Sequence, residues 1–366
     1  MTKLFEPITI NGMELRNRFV RSATWEAMAA DDGACTPALT GIMSNLAKGG
    51  VGLIITGHAY VRREGQAGPW QIGFYDDELI PGLREMTHAV HENGGKIVPQ
   101  LSHGGIYSWT DLTKKDPLAP SVVNGLSKRP PREMNDKDIR EVVEAFGLAA
   151  QRARESGFDG VQIQAAHGYL ISQFLSPALN TRTDSYGGTL ENRARVLMQV
   201  LQAIRETVGP DFPVLVKLNC RDFVDHGVDL EESIRIGRML ADGGADAIEL
   251  SGGLPTAGEK GAIRKGIESE DLEAYFRQEA LEFKNRVPVP LILVGGIRSC
   301  QVAARLVEEG NADCVSMSRP FIREPGLVNR WRMGDSGKSE CLSDNLCYRP
   351  AISGKGLYCV HEKRKK

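Results

Sequence analysis

Residues 164–193 hold the densest group of side chains that could do chemistry in this 366-residue chain. Their sequence is QAAHGYLISQFLSPALNTRTDSYGGTLENR, and it places Gln164, His167 and Tyr169 at the start of one loop, directly after the strand-like residues 160–163. The loop runs for about twenty residues before a helix is expected near Thr189, and loops of that length in compact domains are usually functional or disordered. A disordered loop is not expected to hold a histidine, two tyrosines and a phenylalanine, so we predict that the chemistry lies here.

Short apolar segments and helical segments alternate along the chain. The apolar segments are rich in Val, Ile and Leu, as strands buried on both faces are, and they are predicted to cover residues 18–23, 52–57, 96–101, 160–164, 214–219, 245–250, 291–295 and 313–317. The predicted helices cover residues 37–48, 78–93, 136–156, 189–208, 230–242, 270–286, 299–308 and 324–332. Boundary signals include the Asn11-Gly12 turn, a cap at Asn135 or Asp136, and the glycines that follow three helices, Gly157, Gly209 and Gly243.

Eight strands, each followed by a helix, are the repeat of an α/β fold, the (β/α)8 or TIM barrel. A doubly wound sheet is the alternative, but it would place a glycine-rich phosphate loop after the first strand, and residues 24–28 (TWEAM) are not such a loop. We predict the barrel over residues 1–334 and a Cys-, Gly- and Ser-rich tail over residues 335–366. Residues 102–134, after the third strand, are an insertion that is a surface excursion, a lid or wall over the active site, or both.

Polar residues and glycines gather at the predicted C-terminal ends of the strands, where barrel enzymes keep their active sites. These positions are Thr24 and Trp25, Gly57 and His58, Gln100 with Ser102 and His103, Gln164 with His167 and Tyr169, Lys217 with Asn219 and Arg221, Ser251 with Gly252 and Gly253, Gly295 and Gly296, and Ser318 and Arg319.

The last two of these groups predict a phosphate site. Gly295-Gly296 lets the backbone approach an anion closely, and Ser299 begins a helix whose N-terminal amides favour negative charge. Arg319 follows the eighth strand and offers the forked donors that suit phosphate.

Gln100 and Lys217 are polar residues inside otherwise apolar strands. A buried lysine without a partner is costly. Lys217 therefore either forms a salt bridge across the barrel or faces an electron-rich ligand.

Composition excludes several classes of protein. A net charge of −2 gives no support for nucleic acid or an anionic membrane surface as a partner, and the basic run at 361–366 is expected to be a solvated terminus. No signal peptide or membrane-spanning run is apparent. Seven cysteines, an odd number, indicate reduced thiols in a cytoplasmic protein.

The 164–193 segment resembles the old yellow enzyme family of flavin-dependent ene-reductases. The resemblance lies in the pair Gln164 and His167, then residues 168–170 (GYL), 173–177 (QFLSP), 182–188 (RTDSYGG) and 191–193 (ENR). It implies an FMN-bound barrel that reduces the C=C bond of an α,β-unsaturated carbonyl compound, with hydride from NAD(P)H passed on by flavin N5. The protein would supply orientation and electrostatics while the flavin supplies the redox chemistry.

The resemblance also implies roles for single residues. Gln164 and His167 would donate to the substrate carbonyl oxygen as an oxyanion hole does, and Tyr169 would protonate the α-carbon. Family members have His at the first of these positions, so Gln164 indicates a different substrate range. Lys217 would stabilise the anionic reduced ring, and Gln100 would bond the pyrimidine edge. The other cofactor-binding residues implied are Ala23, Thr24, Trp25, Gly57, Ser251, Gly253, Gly295, Gly296, Ser318 and Arg319. Trp25 stands where the family usually has Thr or Cys.

The tail resembles a degenerate iron–sulfur motif. Larger relatives such as 2,4-dienoyl-CoA reductase and trimethylamine dehydrogenase hold a four-iron, four-sulfur cluster with four cysteines in this region. Here Cys341, Cys347 and Cys359 remain, but Asp344 stands at the second position. Because such clusters depend on thiolates, we expect no intact cluster, and a zinc site, an Asp-ligated cluster or free thiols stay open.

We therefore predict an FMN-dependent ene-reductase that acts on a small enone. Three other functions remain open: a phosphate-binding lyase or aldolase that uses Lys217 as a Schiff-base amine, a flavin-binding oxidoreductase of another substrate type, and a flavin-binding or electron-carrier protein with no organic substrate. The sequence leaves homo-oligomerisation and the choice of NADH or NADPH undecided.

Overall fold

The computed structural model describes residues 2–123 and 125–363. The chain begins with strands β1 (Ile8–Ile10) and β2 (Met13–Leu15), which pair antiparallel across the predicted Asn11-Gly12 turn. Both turn residues have positive φ, +42° and +77°, as a tight hairpin requires. Ile10, Met13 and Leu15 are buried against the side chains inside the barrel, so this hairpin plugs the N-terminal end of the barrel.

The barrel is closed by eight parallel strands, which confirms the predicted fold. The remaining strands of the chain are β3 (Phe19–Arg21), β4 (Leu53–Tyr60), β5 (Lys96–Ser102), β6 (Leu118–Ala119), β7 (Arg132–Glu133), β8 (Val161–Ala165), β9 (Val214–Asn219), β10 (Ala247–Ser251), β11 (Leu291–Val294) and β12 (Cys314–Met317). Around the barrel the order is β3-β4-β5-β8-β9-β10-β11-β12, and β6 and β7 pair with each other in the insertion after β5. Because the hairpin fills one end, a ligand site has to lie at the C-terminal ends of the strands.

Thirteen α-helices are present among the described residues. They are α1 (Pro37–Lys48), α2 (Ile80–His91), α3 (Thr110–Thr113), α4 (Asp136–Glu155), α5 (Leu170–Leu175), α6 (Leu190–Val208), α7 (Leu230–Asp242), α8 (Arg277–Lys284), α9 (Cys300–Glu308), α10 (Arg319–Arg323), α11 (Leu327–Arg332), α12 (Tyr348–Ile352) and α13 (Val360–Lys363). Short 3-10 turns lie at Lys3–Phe5, Arg63–Gly65, Asp77–Leu79, Gly105–Tyr107, Pro255–Lys260 and Glu270–Leu272. No helix among the described residues has the length and apolar character that crossing a membrane requires.

Three helix predictions need correction. The 164–189 loop contains α5, whose six residues are all buried, so it shows no amphipathic pattern in the sequence. The helix predicted at 270–286 begins only at Arg277, because residues 270–272 form a separate 3-10 turn that extended Glu273 ends, and Ala274 then has φ +50°. The helix predicted at 324–332 begins at Leu327, because Glu324, the residue before Pro325, has φ −135° and ψ +83°, outside the α-helical region.

The predicted helix caps are largely confirmed. Asn135 accepts hydrogen bonds from the amides of Lys137 and Asp138, and the Asn135 amide donates to the Asp138 carboxylate, which completes a capping box. Gly243 directly follows α7, as predicted, and the left-handed residue there is the next one, Gly244, with φ +88°.

Candidate active site

A cavity of about 340 Å³ opens at the C-terminal ends of the barrel strands, opposite the hairpin. Its size lies within the range of cofactor and small-molecule sites. The structure brings together in its wall most of the predicted catalytic and cofactor-binding residues, namely Ala23, Thr24, Trp25, Gln100, Gln164, His167, Tyr169, Lys217, Ser251, Gly296, Ser318 and Arg319.

Three predicted residues lie outside this lining, Gly57, Gly253 and Gly295. The Gly57 amide donates to Glu26 Oε1 at 2.9 Å, and a side chain at Gly57 would collide with the Glu26 carboxylate. Gly253, with φ +90°, packs against the backbone of Gly261. Gly57 and Gly253 are therefore needed for contacts within the protein.

Lys217 has a protein partner that the sequence prediction missed. Its ammonium lies 3.0 Å from Glu249 Oε1 and donates to Ser22 Oγ at 2.8 Å. Lys217 and Glu249 stand opposite each other on β9 and β10. Of the two alternatives that the sequence left open, the salt bridge is present, and Lys217 also lines the cavity. The signal for Glu249 was its place in an apolar strand, the same signal that identified Lys217.

Burial acts to raise the pKa of Glu249. The nearby Lys217 ammonium and hydrogen bonds from Ser22, Lys217 and Gln162 outweigh it, so the pKa lies below its usual range. The site therefore holds a carboxylate that stays ionised while it is fully buried.

His167 and Tyr169 follow β8 and line the same cavity. His167 has φ +59°, a conformation that is uncommon outside glycine and is found at functional sites. Its Nε2 lies 2.7 Å from Ser251 Oγ, and burial followed by the Lys217 charge lowers its pKa to about 3. The imidazole is consequently neutral at physiological pH.

The Tyr169 hydroxyl keeps its proton over a wide pH range. Burial, followed by the nearby Tyr348 and Tyr107 phenols, raises the pKa of Tyr169 well above its usual value. The ring packs 5.0 Å from that of His58. Gln164 lines the same cavity, and its buried Oε1 accepts no hydrogen bond from the part of the chain that the structure describes.

Thr24 and Trp25 both line the cavity, but they differ in what their polar groups contact. Thr24 Oγ1 donates to the Ser22 carbonyl at 3.0 Å and lies 2.6 Å from Ser318 Oγ. Trp25 Nε1 is buried and has no hydrogen-bond partner among the described residues. Trp25 is therefore the residue of this pair with an unsatisfied donor.

Only some of the groups that were predicted to bind phosphate lie where they could contact one. Glu273 accepts hydrogen bonds from the amides of Arg298 and Ser299 at 2.8 and 3.0 Å, so a carboxylate already covers the start of α9. Gly296, with φ +71°, does line the cavity, beside Tyr275. The helix terminus is thus removed from the predicted phosphate contacts.

Arg319 is buried and lines the cavity on the same side. Its Nη1 donates to the Arg264 carbonyl at 2.7 Å and to Asn345 Oδ1 at 2.8 Å. Its Nε and Nη2 make no hydrogen bond within the described part of the chain and remain free for an anion. Gly296 and Arg319 are therefore the residues of this group that can hold a phosphate.

Comparison with known proteins identifies the family. The model of the NADH:flavin oxidoreductase / NADH oxidase family matches residues 3–336. The chain belongs to this family. It is 33% identical over 325 residues to an NADPH dehydrogenase of Bacillus subtilis, covering 88% of this chain and 92% of that protein. It is 34% identical over 351 residues to an NADH oxidase of Thermoanaerobacter brockii, covering 94% of this chain but only 53% of that protein.

A solved structure agrees with the old yellow enzyme resemblance. The old yellow enzyme homologue of Zymomonas mobilis superposes with a TM-score of 0.78 at 27% identity, over 93% of this chain and 96% of that one. The family assignment made from residues 164–193 is thereby confirmed.

In this member of the NADH:flavin oxidoreductase family, the C-terminal tail forms part of the cavity wall. Tyr348 and Ser343 line the cavity, a contribution that the sequence prediction missed. Ala351 and Leu357 pack with Ala27 in a small apolar cluster beside the barrel. The tail and the barrel thus meet at the site and share it.

The insertion contributes to the wall as well. Trp109 lines the cavity, and its amide donates to the Gln66 carbonyl at 2.8 Å. The Trp109 side chain is also 41% exposed, so the segment is at once a surface excursion and a wall.

The residues present fit a flavin mononucleotide. Gln164 Oε1 and Trp25 Nε1 are buried in the cavity wall without partners among residues 2–123 and 125–363, a costly state that a polar ligand would relieve. Arg319 offers free donors for a phosphate, and Lys217 and Gln100 supply polar groups on the strands. Arg319 would hold the phosphate of the flavin, and Lys217 and Gln100 would hold its ring.

The tail thiols carry no assembled metal site in the described residues. No group of three or more His, Cys, Asp or Glu side chains there is arranged to hold a metal ion. Asp344 Oδ2 lies 2.6 Å from His361 Nε2, so its carboxylate has a partner. The absence of an intact cluster stays a prediction. Of the basic run at 361–366, residues 364–366 lie outside the described part of the chain.

Proposed function

We propose that this chain is an FMN-dependent ene-reductase that uses NAD(P)H to reduce the C=C bond of an α,β-unsaturated carbonyl compound. The observation that carries the proposal is that neutral His167 and protonated Tyr169 line one cavity with Lys217 and Gln100. Uncharged donors suit a substrate whose carbonyl oxygen gains negative charge only during the reaction.

FMN held in this cavity would supply the hydride-transfer chemistry between NAD(P)H and the β-carbon of the substrate. His167 and Gln164 hold the carbonyl oxygen. The lowered pKa of His167, about 3, means that the imidazole donates a hydrogen bond without giving up a proton. Gln164 can donate only through its amide nitrogen, so both groups stabilise charge on the oxygen without neutralising it.

Tyr169 donates the proton that the α-carbon requires. Its raised pKa keeps the phenol protonated at neutral pH, so the donor is present in nearly every molecule. The phenolate left after transfer regains a proton from water, and the net reaction consumes one NAD(P)H, one proton and one C=C bond.

The lyase alternative is less consistent with the site. A Schiff-base lysine needs a free amine, whereas Lys217 Nζ is held by Glu249 and Ser22 at 3.0 and 2.8 Å. An electron carrier without an organic substrate would leave the adjacent His167 and Tyr169 donors without a role.

The test is anaerobic turnover. Purified protein should release FMN on denaturation and should consume NAD(P)H only when 2-cyclohexen-1-one is added, with cyclohexanone as product. A protein that cannot be loaded with FMN, or FMN-loaded protein that forms no saturated ketone, would refute the proposal.

A further inference from the structure

A buried polar network lies within the barrel strands at the bottom of the cavity. Each of its members is at most 3% exposed. They are Ser22, Gln100, Gln162, Lys217, Glu249 and Ser316. Gln162 and Glu249 do not line the cavity, whereas the other four do. The network therefore links Gln162 and Glu249, which do not line the cavity, to side chains that a ligand would contact.

Glu249 is the centre of this network. Its Oε1 accepts hydrogen bonds from Ser22 Oγ at 2.6 Å and Ser316 Oγ at 2.8 Å, and lies 3.0 Å from Lys217 Nζ. Its Oε2 accepts from Gln162 Nε2 at 2.9 Å. An ionised carboxylate can only accept, so it dictates that all four neighbours donate.

The orientation that Glu249 imposes on the Gln162 amide also fixes the orientation of the Gln100 amide. Because Gln162 turns its nitrogen toward Glu249, its oxygen faces Gln100 and accepts from Gln100 Nε2 at 2.7 Å. Gln100 has thereby committed one of its two amide N–H groups, and its carbonyl oxygen accepts no hydrogen bond from the described residues. An N–H or O–H group of a ligand can therefore donate to the Gln100 carbonyl oxygen.

The negative charge of Glu249 also affects the net charge at the floor of the cavity. Lys217 lines the cavity and Glu249 stands behind it, so the pair contributes no net charge to the floor. The depressed pKa of Glu249, caused by Lys217 and the hydrogen bonds from Ser22, Lys217 and Gln162 against the effect of burial, keeps this balance at neutral pH.

We propose that Glu249 is a positioning residue for the flavin: it offsets the Lys217 charge and, through Gln162, turns the Gln100 carbonyl toward the cavity. This inference rests on the proposed function. It means that the potential of the bound flavin is set by the Lys217–Glu249 pair and not by Lys217 alone.

The test is the midpoint potential of FMN bound to four proteins: the unsubstituted chain, Glu249→Gln, Lys217→Met and the double variant. Glu249→Gln leaves the lysine charge unbalanced, so reduced FMN should gain about tenfold in affinity relative to oxidised FMN, an upward shift of ~30 mV for a two-electron couple. Lys217→Met should shift the potential downward. The double variant, again without net charge, should return close to the unsubstituted value.

Gln162→Leu is the matched control. It cuts the link to Gln100 without changing any charge, so the potential should hold while FMN binds several-fold more weakly. If Glu249→Gln does not fold, the comparison of Lys217→Met with the double variant decides, because removing the lone carboxylate should raise the potential.

Equal potentials in Glu249→Gln and the unsubstituted protein, or in Lys217→Met and the double variant, would overturn the inference. Failure of the unsubstituted chain to bind FMN would instead refute the proposed function, so the two failures are distinguishable.

Discussion

Lys217→Met should destabilise the fold as well as alter the site, because it leaves the Glu249 carboxylate buried without its counter-charge. Removing one partner of a buried ion pair costs roughly 3–5 kcal/mol. Three hydrogen bonds to Glu249 remain, from Ser22, Ser316 and Gln162, so we expect about 3 kcal/mol, the lower end of that range. An unfolding entropy of about 2.1 cal/mol/K per residue over 366 residues converts this into a Tm lower by ~4 °C.

The assay is thermal unfolding followed by circular dichroism on protein freed of flavin, so that ligand affinity does not enter. The control is Lys96→Met, which removes the half-exposed salt bridge of Lys96 to Asp159 at 2.8 Å. Such pairs contribute at most about 1 kcal/mol, so Tm should fall by no more than ~1 °C.

The loss should also depend on pH. With Lys217 present, the pKa of Glu249 is depressed, so its contribution to stability exists above the ordinary value of 4.5 and is lost as pH falls through the folded pKa. In Lys217→Met, burial raises the pKa of Glu249 above 4.5, and the carboxyl group is protonated as pH falls, which relieves the cost. The Tm gap should therefore be largest near pH 8 and should close toward pH 4.5. A Lys217→Met loss no greater than that of Lys96→Met, or a gap that widens in acid, would refute the reasoning.

Three further predictions concern the cavity wall and the tail. Arg319→Ala should weaken FMN binding by roughly 1.5–3 kcal/mol, measured by fluorescence titration, since it removes a charge-assisted phosphate contact; an unchanged Kd would show that Arg319 serves only the tail. Tyr169→Phe should slow reoxidation by an enone by roughly 10²–10⁴-fold while reduction by NAD(P)H stays intact, in anaerobic stopped-flow measurements; slowing of the reductive half-reaction alone would contradict its role as proton donor. Anaerobically purified protein should contain far less than four irons per chain by metal analysis, and Asp344→Cys should raise that content if the tail is a degenerate cluster cradle; near four irons in the unsubstituted chain would contradict the prediction.

The bounds of a secondary-structure element were predicted most accurately where the sequence has a boundary residue at each end of it. Helix α1 matches from Pro37 to Lys48, because Thr36 caps it, Pro37 starts it and Gly49 follows it. Strand β9 matches at both ends as well. In contrast, α5 is buried on every side, so the period that identifies a surface helix is missing.

Single residues of the site could be predicted from the sequence, whereas the partners that they contact could not. A polar residue in an apolar strand is visible in the sequence, and it identified Gln100 and Lys217. The register between two neighbouring strands is not visible locally, so Glu249 on β10 was missed although it pairs with Lys217 on β9. The same reason explains Tyr348, which reaches the cavity only because the tail packs back against the barrel.

The most direct test of the proposed function is a single anaerobic half-reaction. Protein loaded with FMN and reduced by one equivalent of NAD(P)H is mixed with 2-cyclohexen-1-one, and flavin absorbance is followed in a stopped-flow instrument. We predict rapid return of the oxidised flavin spectrum with one equivalent of cyclohexanone, and loss of that phase in His167→Ala. Flavin that stays reduced in the presence of the enone, but reoxidises when oxygen is admitted, would contradict the assignment as an ene-reductase.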